Sequence, residues 1–117
     1  MTQQITLYHN PRCSKSREAL KLLEAHGIEP VLRHYLEDPP GPEELTLLLH
    51  ALRLKPRDLL RTGEDAYREQ GLSDPALSDV QIIEAIAAEP RLLQRPIAVK
   101  GKRAVLGRPP EKILELL

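Results

Sequence analysis

The chain has 117 residues, 17 basic against 17 acidic side chains, and one cysteine. That length allows one domain with a real core but not two ordinary ones, and the balanced charge supplies no field that would draw the protein to nucleic acid or an anionic membrane. Tyr8, Tyr35 and Tyr67, with no Trp or Phe beside them, are too few for a base-stacking platform. Met1 to Gln4 lacks the basic start and apolar run of a secretory signal, and no apolar stretch approaches bilayer-spanning length. A soluble, cytoplasmic monomer is expected. One cysteine cannot close an internal disulfide, which agrees with a reducing compartment. His9, His26, His34 and His50 show no zinc-type spacing with one another or with Cys13, so no bound metal is expected.

Thr6 to Tyr8 reads as a first strand from its β-branched and aromatic character. A helix should follow from near Ser14 to His26, with Ala19, Leu20, Leu22, Leu23 and Ala25 on a broad apolar face and Gly27 as its stop. Val31 to Tyr35 then reads as a second strand, which makes a βαβ unit with parallel strands. Pro39-Pro40-Gly41-Pro42 breaks the chain. Pro42, Glu43 and Glu44 suit a first helical turn, and Leu45, Leu48, Leu49 and Leu52 form one apolar stripe. Pro56 to Gly71 reads as short helical pieces with Leu59 and Leu60 facing inward. Ser78 and Gln81 have the spacing of a capping box, opening a helix that carries Val80, Ile83 and Ile86 to about Glu89. Pro96 to Val99 and Arg103 to Leu106 flank Lys100-Gly101-Lys102 as a hairpin. Pro109 and Pro110 start a last helix with Ile113, Leu116 and Leu117 on one face. The order βαβ, helices, ββα is that of a thioredoxin-like α/β domain with a mixed four-stranded sheet and a helical insertion over about 42–94.

The chemistry centres on Tyr8-His9-Asn10-Pro11-Arg12-Cys13-Ser14-Lys15-Ser16-Arg17, where a strand hands over to a helix. The first N–H groups of a helix lack internal partners and, with the dipole, favour negative charge. A free thiol has a pKa of about 8.5, and it ionises more readily at a helix N-terminus or beside cations such as Arg12, Lys15 and Arg17. A lone cysteine is more often a small buried hydrophobe than a nucleophile. Here the flanks are polar and basic, and Asn10-Pro11 favours a turn. The phosphatase arrangement of Cys, five residues and Arg is absent, because Ala19 stands where the arginine would be. Ser16 stands where a two-cysteine motif would have its second thiol; its hydroxyl can hydrogen-bond a thiolate but cannot resolve a mixed disulfide. A second thiol must come from outside. Arg61, Arg95 and Arg108 each sit beside structural punctuation, and arginine's planar fork fits tetrahedral oxyanions.

Five segments in order resemble the glutaredoxin-coupled arsenate reductase family: His9 to Arg17, Tyr35-Leu36-Glu37-Asp38-Pro39-Pro40, Leu59-Leu60-Arg61, Arg95-Pro96-Ile97-Ala98-Val99 and Gly107-Arg108-Pro109-Pro110-Glu111. The resemblance implies that Cys13 attacks arsenate and that Arg61, Arg95 and Arg108 bind the oxyanion and stabilise the adduct. It also implies glutathione as co-substrate, a glutaredoxin as partner and a cis bond before Pro96. His9, Asn10, Ser16, Arg17 and Pro96 are supporting residues, with His9 a candidate for tuning the thiol. Two alternatives stand beside this reading. One is a glutathione-linked thiol oxidoreductase with another substrate; the other is a regulator that binds RNA polymerase as Spx-type proteins do, against which Ser16 counts because it removes the Cys-x-x-Cys switch.

Overall fold

The computed structural model describes residues 4–117. It contains strands β1 (Ile5–Tyr8), β2 (Val31–Arg33), β3 (Ile97–Lys100) and β4 (Arg103–Leu106), and helices α1 (Ser14–Ala25), α2 (Pro42–Leu52), α3 (Asp65–Glu69) and α4 (Asp79–Ala88). Three 3₁₀ turns, Pro56–Leu59, Pro90–Leu92 and Pro110–Leu116, complete it. The strands form one mixed sheet in the order β2-β1-β3-β4. β1 runs parallel to β2 and antiparallel to β3, and β3 and β4 form the expected hairpin. This is the thioredoxin-like arrangement expected from the order of the elements. No helix among the described residues is long and apolar enough to cross a membrane.

The chain divides into two compact units, one ending at Asp38 and resuming over Arg95–Leu117, the other being the continuous segment Pro39–Gln94. In the first, Ile5 and Leu7 of β1 and Ala98 of β3 pack with Ala19 and Leu23 of α1 and with Ile113 and Leu116 of the last turn. Burying each leucine or isoleucine contributes about 1.5–3 kcal/mol. In the second, α4 packs against α2 and the first two 3₁₀ turns, with Leu45, Leu48, Leu49, Leu59, Leu60, Ile82 and Ile86 buried. Ser78 caps α4 reciprocally with Gln81: the Gln81 N–H donates to Ser78 Oγ at 3.2 Å and the Ser78 N–H to Gln81 Oε1 at 2.8 Å.

Several expectations shift. α1 buries Ser16, Ala19 and Leu23 rather than the broader apolar set, and Ala25 lies exposed at its end. β2 stops at Arg33, because the His34 carbonyl accepts the N–H groups of Glu37 and Asp38 and turns the chain. Tyr35 is buried from that turn, not from a strand. On α4 the buried positions are Ile82 and Ile86, and Val80 faces solvent at 61% exposure. Leu117 follows the last turn and is 48% exposed, so only Ile113 and Leu116 reach the core.

Candidate functional site

The parallel and antiparallel pairings set four chain ends at one end of the sheet. Tyr8 pairs with Arg33 and with Ile97, and Ile97 pairs with Leu106. The residues after β1 and β2, before β3 and after β4 therefore converge: His9 to Cys13, His34, Arg95-Pro96 and Gly107-Arg108. The His9 N–H extends the sheet by donating to the Arg33 carbonyl at 2.9 Å. A tight turn follows, closed by the Cys13 N–H on the Asn10 carbonyl at 2.9 Å. Pro11, which has no N–H to satisfy, suits its second position. Asn10 also accepts the Arg12 N–H on Oδ1 at 3.0 Å, and Arg17 reaches back to donate to the Pro11 carbonyl at 2.9 Å.

Cys13 is the N-cap of α1, in extended conformation, and its side chain makes no capping hydrogen bond. The thiol is partly exposed, and the first turn of α1 contains no acidic residue. An anion at this point meets unpaired N–H groups without a competing carboxylate.

Ser16 departs from expectation. It is fully buried, and its hydroxyl accepts the Asn10 N–H at 3.0 Å and bonds His9 Nδ1 at 2.8 Å. Those two bonds turn it toward the start of the loop, so it braces the turn that carries Cys13. His9 is 5% exposed, not a surface group, and lies edge-on to His34 with ring centroids 6.0 Å apart. The sequence contains the signal for that pair: one histidine directly follows each of two parallel strands.

Burial, then the neighbouring His34 and Arg17 charges, lower the His9 pKa from its ordinary 6.5. The unfolded chain therefore binds the proton more readily than the folded one, and stability rises with pH across that interval. This contribution is complete above pH 6.5 and is lost as pH falls through the folded value. Denaturant midpoints measured at descending pH should decline below that point, and His9→Gln should flatten the decline; an unchanged slope in the variant would remove His9 as its source.

Arg95 and Arg108 stand together at the converging ends. Arg108 Nε donates to the Arg95 carbonyl at 2.9 Å, which holds its guanidinium by one edge. Arg95 Nε is buried and has no hydrogen-bond partner among the described residues. Buried donors are rarely left unpaired, and each such case calls for a reason. The Arg95-Pro96 bond is cis, as the resemblance implied, and Arg108-Pro109 is cis as well. The Gly107 N–H donates to the Pro96 carbonyl at 2.8 Å. A Cβ on Gly107 would lie 2.8 Å from Pro96 Cγ and from Ile113 Cδ1, so only glycine permits this approach.

Arg61 belongs to the second unit, where its N–H donates to the Leu92 carbonyl at 2.8 Å. Its Nη1 is paired with Glu64 Oε1 at 2.6 Å, a partner that sequence reading missed although it lies at the i+3 spacing. Beside the Cys13 turn, on the β2 side, lies a groove of about 250 Å³ whose lining includes Asn10, Arg12, His34, Leu36 and Glu37.

A family model described as the ArsC family matches residues 8–116, from the end of β1 through the last 3₁₀ turn. The chain belongs to the ArsC family. It is 47% identical over 118 residues to the uncharacterized protein YfgD of Escherichia coli (strain K12), covering 100% of this chain and 99% of that one. It is 44% identical over 115 residues to an arsenate reductase of Neisseria meningitidis serogroup A, covering 97% of this chain and 98% of the other. Among solved structures, an arsenate reductase from Vibrio cholerae superposes over 100% of both chains with a TM-score of 0.96 and 46% identity. ArsC members of this similarity share one α/β fold along their whole length.

Proposed function

We propose that the protein reduces arsenate to arsenite in the reducing cytoplasm through a covalent Cys13 adduct, with glutathione and a glutaredoxin as external reductants. The observation that carries this reading is the unpaired, buried Nε of Arg95 at the same end of the sheet as the partly exposed Cys13. A tetrahedral oxyanion supplies that donor with its acceptor. Membership of the ArsC family, with arsenate reductases among its close relatives, supports arsenate as the oxyanion.

Cys13 and monobasic arsenate (H₂AsO₄⁻) condense: a sulfur–arsenic bond forms, an arsenic–oxygen bond breaks, and the thiol proton leaves with that oxygen as water. Arg95, Arg108 and Arg61 offset the repulsion between two anions and stabilise charge on the departing oxygen. Arg61 has five donors in its fork and gives one to Glu64, so others remain for substrate. Glutathione then attacks the Cys13 sulfur. A sulfur–sulfur bond forms, the sulfur–arsenic pair stays with arsenic, and arsenic(V) leaves as arsenic(III), carrying the glutathione proton as arsenite. A glutaredoxin thiolate attacks the glutathione sulfur of the Cys13–glutathione disulfide, so a glutaredoxin–glutathione disulfide forms and Cys13 leaves as the free thiol. The chain's single cysteine makes an outside thiol necessary.

Arsenite formation by the purified protein, with arsenate, glutathione and glutaredoxin omitted in turn, tests the scheme. Turnover should require all three. No turnover, with Cys13 still glutathionylated readily by glutathione disulfide, would replace arsenate by another substrate.

A further inference from the structure

The strand order gives the Cys13 turn two chemically different flanks. On the β3 side stand Arg95 and Arg108, both cationic. On the β2 side lies the groove, where charges of both signs meet an apolar surface: Arg12 and Glu37, with the His34 imidazole, around Leu36, which is 40% exposed. Among the described residues the Glu37 carboxylate has no ion-pair partner, and Arg12 is bonded only through its backbone. A bare oxyanion is poorly served here, because Glu37 repels it.

We propose that this groove seats the reductant, a small zwitterionic peptide thiol of which glutathione is the example, on the side of Cys13 away from Arg95 and Arg108. The inference rests on the reading that an external thiol resolves a Cys13 adduct. Displacement at a divalent sulfur proceeds in line, so the attacking thiolate must approach opposite the leaving atom. With the arsenic held on the β3 flank, that direction is the β2 flank. One wall of the groove is the turn itself: Asn10, Pro11 and Arg12 line it up to the residue before Cys13, and the turn's closing bond runs from the Cys13 N–H to the Asn10 carbonyl.

Charge matches as well. Glutathione carries one ammonium and two carboxylates, complementary to Glu37 on one side and to Arg12 on the other, and its methylenes can lie on Leu36. The volume of about 250 Å³ falls just under the ~300–1,000 Å³ of sites that enclose a whole drug-sized ligand. Part of the tripeptide is therefore held and the rest stays in solvent, where a glutaredoxin can reach it.

S-methylglutathione, which cannot react, provides the test in the absence of arsenate. Titrated into the full chain, it should shift the backbone amide resonances of Arg12, His34, Leu36 and Glu37 saturably, and not those of Gly107 and Arg108. Glu37→Lys should weaken its binding about tenfold, the effect of one lost charged contact, and raise the glutathione KM in turnover while leaving the arsenate KM unchanged. Absence of saturable shifts, shifts confined to the arginine flank, or equal binding by Glu37→Lys would overturn the assignment. Because binding is read without arsenate, failure of the arsenate reaction alone leaves this test intact.

Discussion

Replacing Cys13 by serine is expected to abolish arsenite production, by on the order of 10³-fold or more, since the covalent step then has no competent nucleophile. A hydroxyl is far less ionised than a thiol near neutral pH and a poorer leaving group from arsenic. The variant should fold at least as well as the parent. Cys13 is the N-cap of α1 and makes no capping bond, while serine is among the preferred N-cap residues. Parallel measurement of turnover and thermal midpoint separates chemistry from folding, and activity near the parent's would remove Cys13 as nucleophile.

Arg95→Ala should cost roughly ten- to a hundredfold in kcat/KM for arsenate, the loss of charged hydrogen bonds worth about 1.5–3 kcal/mol. Its fold should persist, because Arg95 Nε serves no internal partner and the bond from Arg108 goes to the Arg95 carbonyl, which alanine keeps. Stability should stay within about 1 kcal/mol of the parent. Arg95→Lys restores the charge but not the planar fork, so its rescue should be partial. An arsenate dependence identical to the parent's in Arg95→Ala would take that residue out of the site.

The sheet was legible where local chemistry and tertiary packing agree. β-branched and aromatic character located β1, the Lys100-Gly101-Lys102 turn located β3 and β4, and the Ser78–Gln81 spacing located the start of α4, because these signals are satisfied by neighbours in sequence. Tyr35 misled because an aromatic beside an apolar run reads as strand, whereas the carbonyl of His34 closes a turn that buries the ring outside any strand. Val80 misled by its apolarity alone, since the helical phase set by Ile82 and Ile86 turns it outward. In the candidate site the cysteine and three arginines stood out by type and position. The working contacts of Ser16 did not, because a hydroxyl seven residues after His9 meets it only when the turn and the first helical turn fold together. The groove was equally hidden, since it depends on strands meeting side by side, whereas the His9–His34 pair was signalled by a histidine after each of two parallel strands and went unread.

The split of the sheet-bearing unit around Pro39–Gln94 orders its assembly during synthesis. β1 and β2 emerge early, but β1 is an inner strand whose other neighbour, β3, begins only at Ile97. Until then one edge of β1 stays open, and Leu7 and Leu23 lack the cover of Ile113 and Leu116. An open edge beside uncovered leucines invites pairing with another chain. The inserted segment has its own locally connected contacts and can form while that edge waits, so the nascent chain is most exposed to aggregation and to chaperones just before β3 and the residues after it leave the ribosome.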